Sequence, residues 1–240
     1  MSHPERIVPD ETEPGIVALH LARYRFALPH CLGRDVLDAA CGVGYGSSFL
    51  AEGARRVVGV DIDADSIAYA QERYAAPNVE YLVGDLLQLP FADESFDTVC
   101  CFESIEHVED QKLLVAELAR VLRADGVLVA STPRVDETDR RPANQFHAVE
   151  LSRADFEALL LTRFAEVELA GQRRLETARH RFARRADVFG LRRRVPALRR
   201  AARVATGTPA TDHATASDVV IAPDRIEEAT ELVAVAHGPR

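Results

Sequence analysis

From residue 34 onward the chain alternates short apolar runs with amphipathic stretches, and that alternation admits few folds. The runs Asp35–Ala39, Val57–Asp61, Val79–Val83, Thr98–Phe102 and Val127–Ser131 are mostly apolar instead of alternating, as strands buried on both faces are. Between them, Ser66–Ala75 sets Ile67, Ala70 and Tyr74 at helical spacing. Gln111–Leu122 does the same with Leu114, Leu118 and Val121/Leu122 before Asp125-Gly126 stops it. Strands separated by helices predict an open, doubly wound α/β domain with a parallel sheet. Ser152 and Asp155 predict a capping box opening Ala154–Leu161, and Phe164–Ala170 a sixth strand. Asp218–Ala222 and Glu231–Ala236 are two further strand candidates. Ahead of the first strand, Pro14–Leu28 predicts a helix with proline at its start, packed across the top or side of the sheet. The expected blocks are an N-terminal cap over 1–33, a core over 34–172, an Arg-rich helical insertion over 173–212 and completing strands over 213–240.

Composition removes several classes. With 240 residues, 47% hydrophobic and 28% charged, the chain can bury a sizeable core without staples, which excludes a fibre or general disorder. No run approaches the roughly 18–20 apolar residues of a membrane span, and the opening MSHPERIVPD has no signal-peptide pattern. Cys31, Cys41, Cys100 and Cys101 are spaced for neither a disulfide framework nor a zinc site. These features predict a cytoplasmic protein.

The net charge of −9 is unevenly spread. Residues 173–203 hold twelve arginines against Glu176 and Asp187, a net +10, so the rest of the chain carries −19. Such a cluster would draw an anion: a phosphate-bearing sugar, a lipid-linked pyrophosphate or an anionic membrane surface. It could equally pair with the acidic remainder of the core or of a second subunit in a homodimer. Only Phe182 and Phe189 could stack on bases, so nucleic acid ranks last.

The most informative stretch is Val36-Leu37-Asp38-Ala39-Ala40-Cys41-Gly42-Val43-Gly44-Tyr45-Gly46, a strand running into a turn with glycines at alternate positions and a helix from near Ser47. Glycines there let backbone pass close to a ligand at the sheet's carboxyl edge. A tight turn with no ligand gives the same spacing. A dinucleotide loop reads G-x-G-x-x-G; here the pattern is G-x-G-x-G behind Asp38, which suits a cationic ligand better than a pyrophosphate. Asp61 closes the second strand, where an acid can accept two ribose hydroxyls, and Asp85 follows the third. Three acids at the ends of three consecutive strands fit one nucleoside lying across them.

Through Asp38–Gly46, Val58–Asp63, Gly84–Leu86, Phe96–Phe102 and Leu122–Pro133, residues 33–171 resemble the class I S-adenosylmethionine-dependent methyltransferases. The resemblance implies a Rossmann-like, seven-stranded sheet whose last strand is antiparallel, with Glu231–Ala236 as that strand, and S-adenosylmethionine as cofactor. It places Asp38 and Gly42–Gly44 near the methionyl part, with Cys41 packed under the loop. Asp61 would meet the ribose, Ile62 the adenine face, Asp85 the adenine amino group, and Leu86 would lie beside it.

At the fourth strand's end, Glu103, Glu106 and His107 fall on one face of a helical turn, and His147 supplies another imidazole after the fifth strand. Two carboxylates and two imidazoles can hold Mg²⁺ or Mn²⁺, and Glu106 and His107 can help deprotonate a hydroxyl. A lone base at His107, with His147 only capping a helix, fits the same residues. The constellation resembles small-RNA 2′-O-methyltransferases and the catechol-directed O-methyltransferase of the ubiquinone pathway. Pro4-Glu5-Arg6, His20-x-x-Arg23-Tyr24, Ser131-Thr132-Pro133 and Asn144-x-x-His147-x-x-Glu150 resemble bacterial carbohydrate O-methyltransferases. That group more often has Gly in place of Pro4 and Asn in place of Arg134. The expectation is O-methylation of a sugar or glycoconjugate hydroxyl, with His20 and Tyr24 closing over the acceptor; a phenol or an RNA ribose is the alternative.

Overall fold

The computed structural model describes residues 7–174 and 219–240. Pro4-Glu5-Arg6 and nearly all of the Arg-rich block lie outside the described residues. In chain order the elements are α1 (Pro14–Cys31), β1 (Asp35–Ala39), α2 (Tyr45–Leu50), β2 (Arg56–Asp61), α3 (Ala64–Arg73), β3 (Val79–Val83), β4 (Phe96–Phe102), α4 (Gln111–Arg120), β5 (Leu122–Pro133), α5 (Arg153–Leu161), β6 (Phe164–Arg174), β7 (Val219–Ala222) and β8 (Glu231–Pro239). Single 3-10 turns stand at Ile105–His107 and Ile226–Glu228.

The strands form one sheet in the order β3-β2-β1-β4-β5-β8-β6-β7. Strands β1 to β5 are parallel, and β1 pairs with both β2 and β4, so the order reverses between β1 and β4. A crevice opens outside the carboxyl ends at such a reversal. The last strand, β8, runs antiparallel between β5 and β6, as expected. The sheet has eight strands and not seven, because β7 adds an antiparallel edge to β6 from Gly171↔Ala222 to Arg174↔Val219.

Alternate residues of each strand supply two cores. Leu37, Val58, Val99, Leu128 and Ala234 face Leu114 and Leu118 of α4 and Phe156 and Leu160 of α5. Val36, Val57, Cys100, Val129 and Val233 face Tyr24, Ala27 and Cys31 of α1 and Leu50 of α2. Thus α1, together with α2, packs on one face of the sheet. Thr98 Oγ1 pins its end by donating to the His30 carbonyl at 2.6 Å.

Capping residues fix the helix starts. Asp63 accepts from Ser66 N–H at 3.0 Å and Asp110 from Leu113 N–H at 3.0 Å. Ser152 accepts from Asp155 N–H at 3.2 Å, but Ser152 N–H turns to Thr138 Oγ1 at 2.9 Å, and Thr138 in turn donates to Asp155. The reciprocal half of the box therefore passes through Thr138. α4 ends at Arg120, short of the expected Leu122, because β5 begins there and pairs Leu122 with Phe96. Among the described residues, no helix is long and apolar enough to cross a membrane. All four cysteines are free and buried.

Candidate functional site

A cavity of about 690 Å³ opens at the carboxyl edge where the strand order reverses. Its wall brings together Cys41, Gly42, Asp61, Ile62, Asp85, Leu86, His20, Tyr24, Glu103, Glu106, His107 and His147. Two of the residues expected at the site, Asp38 and Gly44, do not line it.

The nucleoside end forms where β1, β2 and β3 stop. Gly42, at φ +55°, donates its N–H to Asp61 Oδ2 at 2.8 Å, and Asp63 N–H donates to Oδ1 at 2.9 Å. Asp61 is thereby aimed and keeps further lone pairs to accept from other donors. A Cβ on Gly42 would stand in open space at this wall. Ile62 is 73% exposed, an apolar side chain left for a flat ring to cover. Asp85 Oδ1 accepts Leu87 N–H at 2.8 Å, so the turn that places Asp85 also lines the cavity. The other glycines of the loop serve packing. A Cβ on Gly44, at φ +85°, would lie 2.6 Å from Ala70 Cβ, and one on Gly46 would lie 1.9 Å from Tyr24 Cζ.

Asp38 sits behind the wall. Its carboxylate is buried and receives Ser47 Oγ–H at 2.6 Å and Tyr24 Oη–H at 3.2 Å, so Tyr24 stands between it and the cavity. Burial pushes the Asp38 carboxyl up to about 7, against the opposing pull of those two donors. Burial and Asp38 together hold the Tyr24 hydroxyl far above its usual range, so it remains a donor. Because the folded pKa lies above the unfolded one, Asp38's contribution to stability is complete below about 4 and is lost as pH rises through about 7. Glu106 and Glu231, both raised chiefly by burial, add dependence of the same sign. Asp38→Asn is therefore expected to flatten the fall in melting temperature between pH 4 and 7 without abolishing it. A melting series across that range checks this.

The acceptor end departs from the expected geometry. The turn begins only at Ile105, and Glu103, held at φ +49°, lines the same cavity from just ahead of it. Its Oε1 accepts Ser131 Oγ–H at 2.6 Å and lies 3.9 Å from Arg23 Nη1. Glu106, His107 and His147 do converge, with donor atoms within 4.8 Å of one another. Glu103, the fourth expected ligand, lines the same cavity but is outside that group of three. Left-handed backbone at the non-glycine residues Ala40 (φ +62°) and Glu103 places strain at the two strand ends flanking the cavity.

The loop after β5 fixes both imidazoles. Asn144 Oδ1 accepts Phe146 N–H at 3.1 Å, which turns its amide nitrogen toward His147 Nε2 at 3.0 Å. His147 Nε2 is thus an acceptor, and Nδ1–H donates to Glu150 at 2.6 Å. The Phe146 carbonyl accepts from His107 Nδ1 at 3.0 Å, placing the His107 lone pair on Nε2. The two rings meet edge to face at 4.9 Å between centroids. The i,i+3 spacing of Asn144, His147 and Glu150 marked this clamp in the sequence. Ile7, Tyr45 at the start of α2, Ser66 in α3, Phe102 at the end of β4 and Val108 also line the cavity and were not among the residues expected there.

Residues 37–130 match the family model described as a methyltransferase domain. The chain is 42% identical over 168 residues to a protein of Mycolicibacterium smegmatis named a probable S-adenosylmethionine-dependent methyltransferase, a match covering 68% of this chain and 65% of that relative. It is 32% identical over 154 residues to a fatty-acid O-methyltransferase of the same organism, covering 60% and 54%. The chain thus spans less than two thirds of the length of these curated relatives. Among solved structures, an S-adenosylmethionine-dependent methyltransferase from Mesorhizobium loti superposes with a TM-score of 0.60 at 17% identity, over 94% of this chain and 100% of that one, a likeness of fold. The chain therefore has a segment that matches the methyltransferase-domain model and is similar to proteins named as S-adenosylmethionine-dependent methyltransferases, with its cavity at the reversal point of a Rossmann-like sheet.

Proposed function

We propose that this chain transfers the methyl group of S-adenosylmethionine to a hydroxyl of a sugar or glycoconjugate. The observation that carries the reading is one continuous cavity, with a ribose-aimed carboxylate, Asp61, at one end and the Glu106–His107–His147 group at the other. In the reaction the acceptor oxygen forms a bond to the methyl carbon as the sulfur–carbon bond breaks, and the electron pair returns to sulfur. The acceptor proton passes to His107 Nε2, whose lone pair is set by the bond from Nδ1–H to the Phe146 carbonyl. Alignment of oxygen, carbon and sulfur supplies much of the rate.

The donor set also suits a divalent cation. Burial drives the Glu106 carboxyl well up, with Glu103 adding to the effect, and a cation would hold it ionised. In place of the role of His107 as base, Glu106, His107 and His147 would hold Mg²⁺ or Mn²⁺, with His107 Nε2 then a ligand and His147 exchanging its bond from Asn144. Bound there, the ion would lower the pKa of the acceptor hydroxyl. A vicinal diol would suit that arrangement.

A fatty-acid acceptor, as in the name of one relative, fits less well. Such a carboxylate is already ionised at pH 7 and needs no base, and it would face Glu103 and Glu106. Transfer of labelled methyl from S-adenosylmethionine to a panel of vicinal-diol sugars, catechols and fatty acids tests the reading. His107→Ala is expected to reduce turnover of a hydroxyl acceptor about 10²–10⁴-fold. Turnover confined to fatty acids and indifferent to His107→Ala would overturn it. Titration of Mn²⁺ into S-adenosylhomocysteine-loaded protein, wild type beside His147→Ala, tests the ion separately.

A further inference from the structure

The two residues expected to close over the acceptor from α1 behave differently. Tyr24 is committed behind the wall, its hydroxyl donating to Asp38 at 3.2 Å and its ring set edge to face on Phe102 at 5.0 Å between centroids. His20 lines the cavity, yet neither of its ring nitrogens makes a hydrogen bond among the described residues. A partly buried imidazole in a cavity wall, with no protein partner, leaves its polar atoms to whatever fills the cavity.

The helix explains its position. His20, Tyr24, Ala27 and Cys31 form one stripe of α1 at i,i+4 and i,i+3 spacing. Ala27 and Cys31 are buried against the sheet, and the His30 carbonyl beside them receives Thr98 Oγ1–H near the start of β4. Tyr24 meets Phe102 at the end of the same strand, so α1 runs antiparallel to β4. One further helical turn, about 6 Å, carries the stripe past the carboxyl edge of the sheet, and the residue there is His20. Arg174 Nη2 fixes the start of this overhang by donating to the Gly15 carbonyl at 3.4 Å.

The overhang comes from the α1/α2 face of the sheet. Ile105, Val108 and Val149, which flank Glu106, His107 and His147, pack with the α4/α5 core on the other face. Imidazoles therefore bound the cavity from both sides. Burial, with the Arg23 charge beside it, holds the His20 ring well below the ordinary imidazole range, so at pH 7 it carries one N–H and one lone pair. A hydroxyl answers such a ring, because it can accept from the one and donate to the other. A carboxylate would be met better by a protonated ring, which Arg23 disfavours.

We propose that His20 is a second hydroxyl subsite for the acceptor: while one hydroxyl meets His107, another on the same molecule hydrogen-bonds His20 from the opposite wall. This rests on the reading of the cavity as a site of hydroxyl methylation and deepens it. The acceptor is then a polyol, and His20 selects it by binding.

Thermal protection of S-adenosylhomocysteine-loaded protein by methyl α-glucopyranoside, cis-cyclohexane-1,2-diol, cyclohexanol and laurate tests the proposal in wild type, His20→Ala and His20→Gln. S-adenosylhomocysteine affinity is titrated in each variant alongside. In wild type, half-maximal protection is expected at a roughly 10-fold lower concentration of the diol than of cyclohexanol, the effect of one added hydrogen bond. His20→Ala should remove that advantage with S-adenosylhomocysteine affinity unchanged, and His20→Gln, which keeps a donor and an acceptor, should retain part of it. A diol advantage that survives His20→Ala, or weaker S-adenosylhomocysteine in that variant, overturns the subsite and leaves the hydroxyl reading standing. Equal protection by diol and cyclohexanol in wild type does the same. Protection by laurate alone, or by none of the four, overturns the hydroxyl reading and the subsite with it.

Discussion

Asp61→Ala is expected to weaken S-adenosylhomocysteine binding by about 100-fold or more. In the proposed cofactor site the carboxylate would meet two ribose hydroxyls, and hydrogen bonds to a charged acceptor contribute about 1.5–3 kcal/mol each. Part of the loss comes from the protein itself. Asp61 Oδ2 holds Gly42 N–H and Oδ1 holds Asp63 N–H, so alanine frees the glycine loop and the entry to α3 together. Asp61→Asn separates the contributions: its amide oxygen can keep one of the two backbone bonds, and its NH₂ cannot accept the other. Isothermal titration on both variants, with melting temperatures, checks this. An affinity within threefold of wild type in Asp61→Ala would remove Asp61 from the ribose.

The largest effect on stability belongs to Gly46→Ala. A Cβ there would fall 1.9 Å from Tyr24 Cζ and 2.3 Å from Cε2, inside a ring that is itself buried and bonded to Asp38. Either α2 or Tyr24 must move, at a cost of about 3 kcal/mol, the upper range for overpacking. For a chain of this size that corresponds to a fall of about 6–12 °C in melting temperature. Gly42→Ala should behave oppositely. Its left-handed backbone costs alanine about 1 kcal/mol, but the methyl meets nothing in the protein and stands at the cavity wall. Stability should fall little and nucleoside affinity at least tenfold. Thermal melts and S-adenosylhomocysteine titrations on the two variants, side by side, decide whether the glycines divide in this way.

Where a place in the cavity wall follows from position at a strand end, the sequence was enough. Asp61, Ile62, Asp85 and Leu86 reach the cavity because β2 and β3 must end at the same edge as β1 once the sheet is parallel. Asp38 lies one residue short of that end, and the two-residue period of β1 puts it on the face of Val36, under α1, so its partners are Tyr24 and Ser47. Gly44 looked like a place for a ligand and proved to be a place for Ala70 and Tyr81, contacts made by elements distant in sequence. Glu103 also reaches the cavity, but it stands outside the Glu106–His107–His147 group because it precedes the turn and is held in left-handed backbone. The eighth strand was among the candidates, yet a seven-stranded frame left no room for it.

The placement of β8 also constrains how the molecule can assemble. The β6–β7 pair has no hydrogen bond to the parallel strands except through β8, which bonds β5 along Val127↔His237 to Pro133↔Glu231 and β6 along Phe164↔Pro239 to Gln172↔Glu231. During synthesis or refolding, β5 and β6 therefore expose unpaired edges until the final strand threads between them, about a hundred residues after β5 was made. Such a late, long-range closure is slow, and open edges invite pairing between chains. The step that limits recovery of the native state, and the window in which aggregation competes, should be the insertion of Glu231–Pro239.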